Sequence, residues 1–483
     1  MDAYLVSGWQ ALCQQLAPAF TGPTFVTFLH VATGWALCRS RPAVTALVHT
    51  IGPTLLGHAA KHWTAYEKFF YRAAWSMPEL SRLLLTRVVA PLLDRCGADG
   101  PAAGGAGEAE AEAGAGADAE LKIDDTTTGR HGRHVAYAGY FKDASASNAA
   151  HAVVRWAHNW VIGAVAVRPG RWPKWVLCLP VLFELYRKRA DCDAARGRPF
   201  LTRQQIAAAM IRRTREALPG RAIHVAADGA YATKEVAEAA GEASTGPRRA
   251  DLTSRIRADA AIYELPPKRR RPGRGPRPGK GRRLPTPRQI AARRTKGWRS
   301  VEVLAYGRRV KRRVLAVVCL WWRVARDKPI KLLIVRDPSG VQKDDYLFCT
   351  DPSVPDERVV ERFAARWPVE DAVRDGKQVG GFGQVQGWCE HTVERQAPFA
   401  LVVQTLVKAW YLLYGADDAA ARARLDGDET YTWMKRKEHP SYLDMLATLR
   451  RALWSERLKC NSCLSGRVAA LLKPLQFTLC AAA

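Results

Sequence analysis

Three features of the sequence predict an α/β fold flanked by helical segments. Strand-like runs between Leu121 and Ala227 alternate with helix-forming stretches, a second strand-rich region lies between residues 300 and 350, and helical spacing of apolar residues marks both ends of the chain. The length of 483 residues is ample for a packed core and suggests two to four domains.

Residues 1–95 carry Trp63, Tyr66, Phe69, Phe70, Trp75, Leu80, Leu83, Leu84 and Leu85 at mixed three and four spacing, with Pro78 and Pro91 as punctuation. This predicts several short helices, with Lys68, Arg72, Arg82 and Arg87 on polar faces that suit either a DNA groove or plain solvent. Residues 96–120 change to Ala, Gly, Glu and Asp and read as an acidic linker, because they offer almost no large apolar side chain to bury.

From Leu121 the pattern becomes extended: Leu121 to Asp125, Ala152 to Ala157 and Trp160 to Val167 around a His158-Asn159 turn, then Trp175 to Leu179. Thr202 and Gln205 stand at capping-box spacing ahead of Ile206, Met210, Ile211 and Leu218, so a helix is expected there. A strand from Ala222 to Ala227 ends on Asp228-Gly229, and helix-forming residues Thr233 to Ala240 follow.

Residues 265–300 hold Lys268, Arg269, Arg270, Arg271, Arg274, Arg277, Lys280, Arg282 and Arg283 among Pro and Gly, with no acidic residue, and read as a loop that meets phosphates. Val301 to Val324 and Ile330 to Val335 are strand-like. After Asp351-Pro352 and Ser353-Val354-Pro355 a long helix is expected from Asp356 to Lys377, and Ala397 to Tyr414 and Tyr442 to Leu472 are helical in pattern.

The charge restricts function. Lys and Arg number 74 against 46 Asp and Glu, a net +28, so the partner expected is a polyanion: DNA, RNA or an anionic membrane surface. No uninterrupted apolar run has the roughly 18 residues a spanning helix needs, and the first residues lack a secretory pattern, so a cytoplasmic protein without membrane contact is expected. The cysteines are scattered apart from Cys460 and Cys463, and they read as reduced thiols.

Three carboxylates on separate elements carry the chemistry: Asp125 at the end of a strand, Asp228 at the end of another, and Glu370 on a distant helix. Converging there, they would suit a two-metal site for in-line phosphoryl transfer, since Mg²⁺ takes oxygen ligands and keeps room for substrate phosphate. Phe363, Arg366, Glu370 and Lys377 fall on one helical face, which sets phosphate-binding cations beside the acid.

The run Phe363-x-x-Arg366-x-x-x-Glu370-x-x-x-x-x-x-Lys377 resembles the Tyr-Arg-Glu-Lys signature of DDE transposases of cut-and-paste bacterial insertion sequences, with Phe in place of Tyr. Ile123-Asp124-Asp125-Thr126-Thr127 and Ala227-Asp228-Gly229-Ala230-Tyr231 are similar to the first and second acid motifs of that family. The resemblance implies a ribonuclease-H-like core in two parts, 121–245 and 346–415, around a basic, β-rich insertion at 246–345, with 1–95 as a DNA-binding domain and 416–483 as a carboxyl-terminal helical segment.

It also implies cleavage at transposon ends and strand transfer at the bacterial nucleoid. The triad Asp125, Asp228 and Glu370 would hold two Mg²⁺ ions, replaceable by Mn²⁺, and a homodimer would assemble on double-stranded DNA. Arg366, Lys377, Phe363 and the Lys268, Arg269, Arg270, Arg271 run would contact DNA, and Tyr346, ahead of Trp298, Trp321 and Trp322, would hold a flipped base. A non-catalytic DNA-binding regulator and a ribonuclease-H-like nuclease are the alternatives.

Two details stay open in the sequence. Pro368 interrupts helical hydrogen bonding two residues before Glu370. Asp124 and Asp125 compete for the first acid position, since adjacent strand residues face opposite ways, and the Asp-Thr-Thr match favours Asp125. His131, His134, His151 and His158 lack a metal-binding spacing and are read as surface or hydrogen-bonded residues.

Overall fold

A computed structural model of the chain describes residues 2–98, 117–143, 146–148, 150–193, 197–242, 250–267, 279–427 and 436–460. The Lys268, Arg269, Arg270 and Arg271 run, most of the acidic linker and Cys463 lie outside the described residues.

The amino-terminal part is helical: α1 (Asp2–Gln14), α2 (Gly22–Leu37), α3 (Val44–Ile51), α4 (Trp63–Tyr71), α5 (Met77–Leu83) and α6 (Ala90–Ala98), with a two-stranded ribbon of β1 (Thr54–Leu55) and β2 (His58–Ala59). Pro sits in the first turn of α2 and of α5, where a missing N–H costs nothing, and Ser76 caps α5 by accepting from the Glu79 amide. These helices bury Trp9, Phe28, Phe69 and Phe70 in the same core that receives the carboxyl-terminal helices.

The centre is one 10-stranded sheet. Its strands are β3 (Ala119–Gly129), β4 (Gly139–Lys142), β5 (Val154–Val167), β6 (Leu177–Tyr186), β7 (Ile223–Ala227), β8 (Ala250–Arg255), β9 (Arg299–Ala305), β10 (Arg308–Leu320), β11 (Pro329–Arg336) and β12 (Asp345–Cys349). The order is β4-β5-β3-β7-β8-β12-β11-β10-β9, with β6 also paired to β5. β3, β5 and β6 are antiparallel, while β7 and β8 run parallel to β3, so the sheet is mixed.

The turn expected at His158-Asn159 does not exist. Both residues sit inside β5, paired with Thr128 and Thr127 of β3, because the ladder to β3 runs unbroken along this stretch and holds the polar pair in place. The strand-rich region after residue 299 continues the same sheet, since β12 pairs with β8.

Helices cover both faces. α7 (Arg203–Ala217), begun by the Thr202–Gln205 capping box, and α8 (Lys234–Gly241) pack together on one face; α9 (Pro287–Arg293) and α10 (Trp322–Ala325) are short connections. On the other face lie α11 (Asp356–Ala364), α12 (Pro368–Gln378) and α13 (Glu390–Trp410), followed by α14 (Ala419–Asp426) and α15 (Tyr442–Cys460). The segment Glu390–Gly415 has the length and composition to cross a membrane, yet 83% of its most apolar window is buried inside the protein, where it forms the central helix.

The single long helix expected from Asp356 to Lys377 is two helices. It breaks at Ala365–Trp367, and Pro368 opens α12 at a position where its lack of an N–H is harmless. The break turns Arg366 out of the helical register and toward the sheet.

Candidate active site

Strand alternation sorts the acids by face. Along β3, Lys122 reaches the Arg362 carbonyl of α11 at 3.1 Å and Asp124 reaches Arg366 at 3.2 Å, so even-numbered residues look toward α11 and α12. Asp125 looks the other way. Its Oδ2 accepts from Arg203 of α7 at 2.8 Å and from Asn159 at 3.1 Å, and its Oδ1 accepts from the Tyr231 hydroxyl at 3.1 Å.

The second acid follows by register. Ile123 pairs with Ala227 in the parallel β3–β7 ladder, so Asp124 and Asp228 are the next residues along neighbouring strands. On β7, His224 contacts Arg362 of α11 at 3.0 Å; Asp228 follows the end of the strand with an extended backbone at φ −68°, where continued alternation is what would turn it to the same face.

The third acid comes from α12. Arg366 Nη2 donates to Glu370 Oε1 at 2.9 Å while Nη1 donates to Asp124 Oδ2, so one guanidinium spans the acids of β3 and α12. α12 is held in place from behind: Gln404 Nε2 donates to the Ala372 carbonyl at 2.9 Å, and buried Lys408 pairs with Asp375 at 3.5 Å.

Burial pushes the Asp124 carboxyl up to about 6; Arg366 and the Asp125 amide oppose the shift, and the nearby charges of Asp125 and Glu370 add to it. A carboxyl group held high by burial and by other carboxylates gains by sharing a cation. Among the described residues, no three His, Cys, Asp or Glu side chains already stand close enough to enclose a metal ion. The set is nonetheless oxygen-only, and two of its members already share one positive charge, so the residues fit a hard divalent cation.

The remaining expected residues are spread more widely. Lys377 lies at the far end of α12, its ammonium pushed down by burial and supported by Asp143. Phe363 is in the core beneath α11, with Arg255 and Arg366 over its ring at 5.2 and 5.9 Å. Tyr346 is built into β12 opposite Ile334, Trp321 packs edge-on against Phe348, and Trp298 carries Arg336 on its face at 4.3 Å.

Sequence reasoning missed Tyr306 and Trp367. They meet edge to face at 6.2 Å and are 63% and 48% exposed, beside the start of α12. The Tyr306-Gly307 pair between two β-patterned runs was the available signal, being a tight hairpin connection.

No curated protein matches the chain. Residues 106–314, under half of the sequence, match the family model described as DDE superfamily endonuclease; the matched stretch holds Asp124, Asp125 and Asp228 and ends within β10, before Glu370. Over that stretch the chain is similar to the DDE superfamily endonucleases, and the match supports a transposase-like or nuclease-like function.

Proposed function

We propose that the chain is a DNA transposase that cuts at transposon ends and joins the freed strand to target DNA, with Asp124, Asp228 and Glu370 as its acidic triad. The observation that carries this reading is the Arg366 bridge between Asp124 and Glu370; the position of Asp228, one residue past the β3–β7 pair Ile123–Ala227, supports its inclusion. Asp124 takes the first position in place of Asp125, which is engaged by Arg203, Asn159 and Tyr231 on the opposite face. A central strand with antiparallel neighbours on one side and parallel ones on the other, bearing acids at the parallel junction, supports a ribonuclease-H-like core.

Two Mg²⁺ ions, or Mn²⁺ in their place, held by the three carboxylates would activate water and stabilise charge on the scissile phosphate. The chain's own residues orient the substrate. Arg366 presents a planar fork suited to phosphate oxygens, and Lys377, two turns along α12, offers a point charge further down the strand. Asp124 must shed its proton to act, and its raised pKa makes it responsive to nearby positive charge. Joining two ends requires two copies, so assembly as a homodimer on DNA is part of the proposal.

The test is cleavage and joining of labelled end-containing duplex with Mg²⁺, comparing wild type with Asp124→Asn, Asp228→Asn and Glu370→Gln at matched DNA binding. Loss of both steps in all three supports the proposal. Cleavage by wild type without joining points to a hydrolytic nuclease, and binding without cleavage under either metal points to a regulator.

A further inference from the structure

Beside α12 lies a groove of about 1300 Å³ whose walls come from the β9–β10 hairpin, the start of α12 and the segments 171–176 and 436–439. Eight Lys or Arg side chains line it against three acids, Glu361, Asp371 and Glu438. Lys174, Arg308, Arg309 and Arg436 have no ion-pair partner among the described residues, so their charge is available to a ligand.

The groove also offers exposed aromatic rings. Tyr306 stands at the hairpin tip with φ 53°, a left-handed conformation that a bulky residue rarely adopts. Tyr306 and Gly307, at φ 53° and 76°, are the two central residues of the tight turn that joins Ala305 to Arg308, and the ring of Tyr306 projects from it to meet Trp367. Across the groove His439 stacks on Trp175 at 4.8 Å, and Arg171 covers Trp172 at 5.5 Å.

We propose that this groove binds a single DNA strand, left unpaired near the cleavage site, along a path separate from the face of the acids. The inference rests on the reading of the chain as a DNA-cleaving enzyme. Phosphates would follow the unpaired cations, and bases would stack on Tyr306 and Trp367. A duplex shows these rings only base edges, whereas an unpaired strand offers π-faces that repay stacking. Pro368 and Asp371 line the groove, and Glu370 is about 100° round α12 from Asp371, so a strand in the groove passes close to the acid without covering it.

Two measurements on the full chain in EDTA test the proposal: fluorescence anisotropy with labelled oligothymidylate and with duplex of equal length, and photocrosslinking with an oligonucleotide bearing 5-iododeoxyuridine. Wild type should bind oligothymidylate with steep salt dependence, and Arg308→Glu/Arg309→Glu should weaken that binding by about tenfold or more while duplex binding changes less. Tyr306→Ala should weaken it several-fold, and crosslinks should map to Tyr306 or Trp367.

Equal loss of both DNA forms, unchanged oligothymidylate binding, or crosslinks confined to other regions would overturn the inference. Since the hairpin tip is solvent-exposed, folding of the variants can be verified by thermal melting. Wild-type cleavage of end-containing duplex, assayed on the same preparation, keeps the enzymatic reading separate: cleavage without groove binding removes this inference alone.

Discussion

Nη1 of Arg366 lies 3.2 Å from Oδ2 of Asp124, joining residues 242 positions apart in the chain. The same guanidinium reaches Glu370, so a single side chain holds the central strand and α12 in mutual register. Arg366 is 8% exposed, and this placement gives it two functions that substitution can separate.

Replacing Arg366 by Gln leaves two carboxylates facing each other without a cation. Single-turnover cleavage should fall by roughly 10²–10³-fold, the usual effect of losing a preorganised donor to a charged substrate. In metal-free buffer the variant should also melt below wild type, and Mg²⁺ should raise its melting temperature more than it raises that of wild type, because the ions replace the missing charge. Equal Mg²⁺ responses in the two proteins would mean that the acids do not share a cation site.

Asp124→Asn and Asp125→Asn distinguish the two candidates for the first acid. Asp124→Asn should lower cleavage by at least about 10³-fold with little change in stability, as expected for a lost ligand in a two-metal site. Asp125→Asn should cost about tenfold, because it loosens Tyr231 and with it the short turn that follows Asp228. The reverse ranking would return the role to Asp125.

The contrast shows what the sequence could and could not disclose. The capping box at Thr202 and the strand that runs up to Asp228 were legible because each rests on local chemistry: residue type, spacing and a turn signal. Which of Asp124 and Asp125 meets Arg366 was not, because that depends on which face of β3 looks toward α12, a matter of sheet register and of the break before Pro368. The false turn at His158-Asn159 arose similarly: two polar residues look like a turn unless the partners that satisfy them are known. The Tyr306–Trp367 contact joins segments 61 residues apart in number and had only the hairpin as a signal.

His158 is fully buried in β5 and neutral by construction. Its Nδ1 accepts from Arg130 Nε at 2.8 Å, and its Nε2 donates to the Ala136 carbonyl at 2.8 Å. Burial lowers its pKa to about 4, the Arg130 charge pushes the same way, and the Ala136 carbonyl opposes them. A depressed pKa means that the stabilising contribution is complete above the ordinary histidine value near 6.5 and is lost as pH falls toward 4. Chemical denaturation should show wild type losing a few kcal/mol over that window. His158→Gln, which can keep both hydrogen bonds, should lose measurably less; parallel curves for the two proteins would show that His158 does not titrate on unfolding.

Gly376 tests whether the seat of α12 sets the position of Glu370. A Cβ there would lie 2.6 Å from Leu401 Cδ2 and 3.2 Å from Gln404 Oε1. Leu401 is fully buried in the core, so it cannot swing aside cheaply. Ala normally favours a helix over Gly by about 1 kcal/mol, but overpacking costs about 1–3 kcal/mol, and the second effect should win. Gly376→Ala should therefore destabilise the protein in urea and slow cleavage by pushing α12 away from β3. Leu401→Ala alone should cost about 2–5 kcal/mol through its cavity. The double variant should be more stable than the two single effects added together, by at least about 0.5 kcal/mol, and should recover part of the lost cleavage. Strict additivity in both readouts would mean that α12 is held by other contacts, such as Lys408 with Asp375, and that Gly376 is incidental to the site.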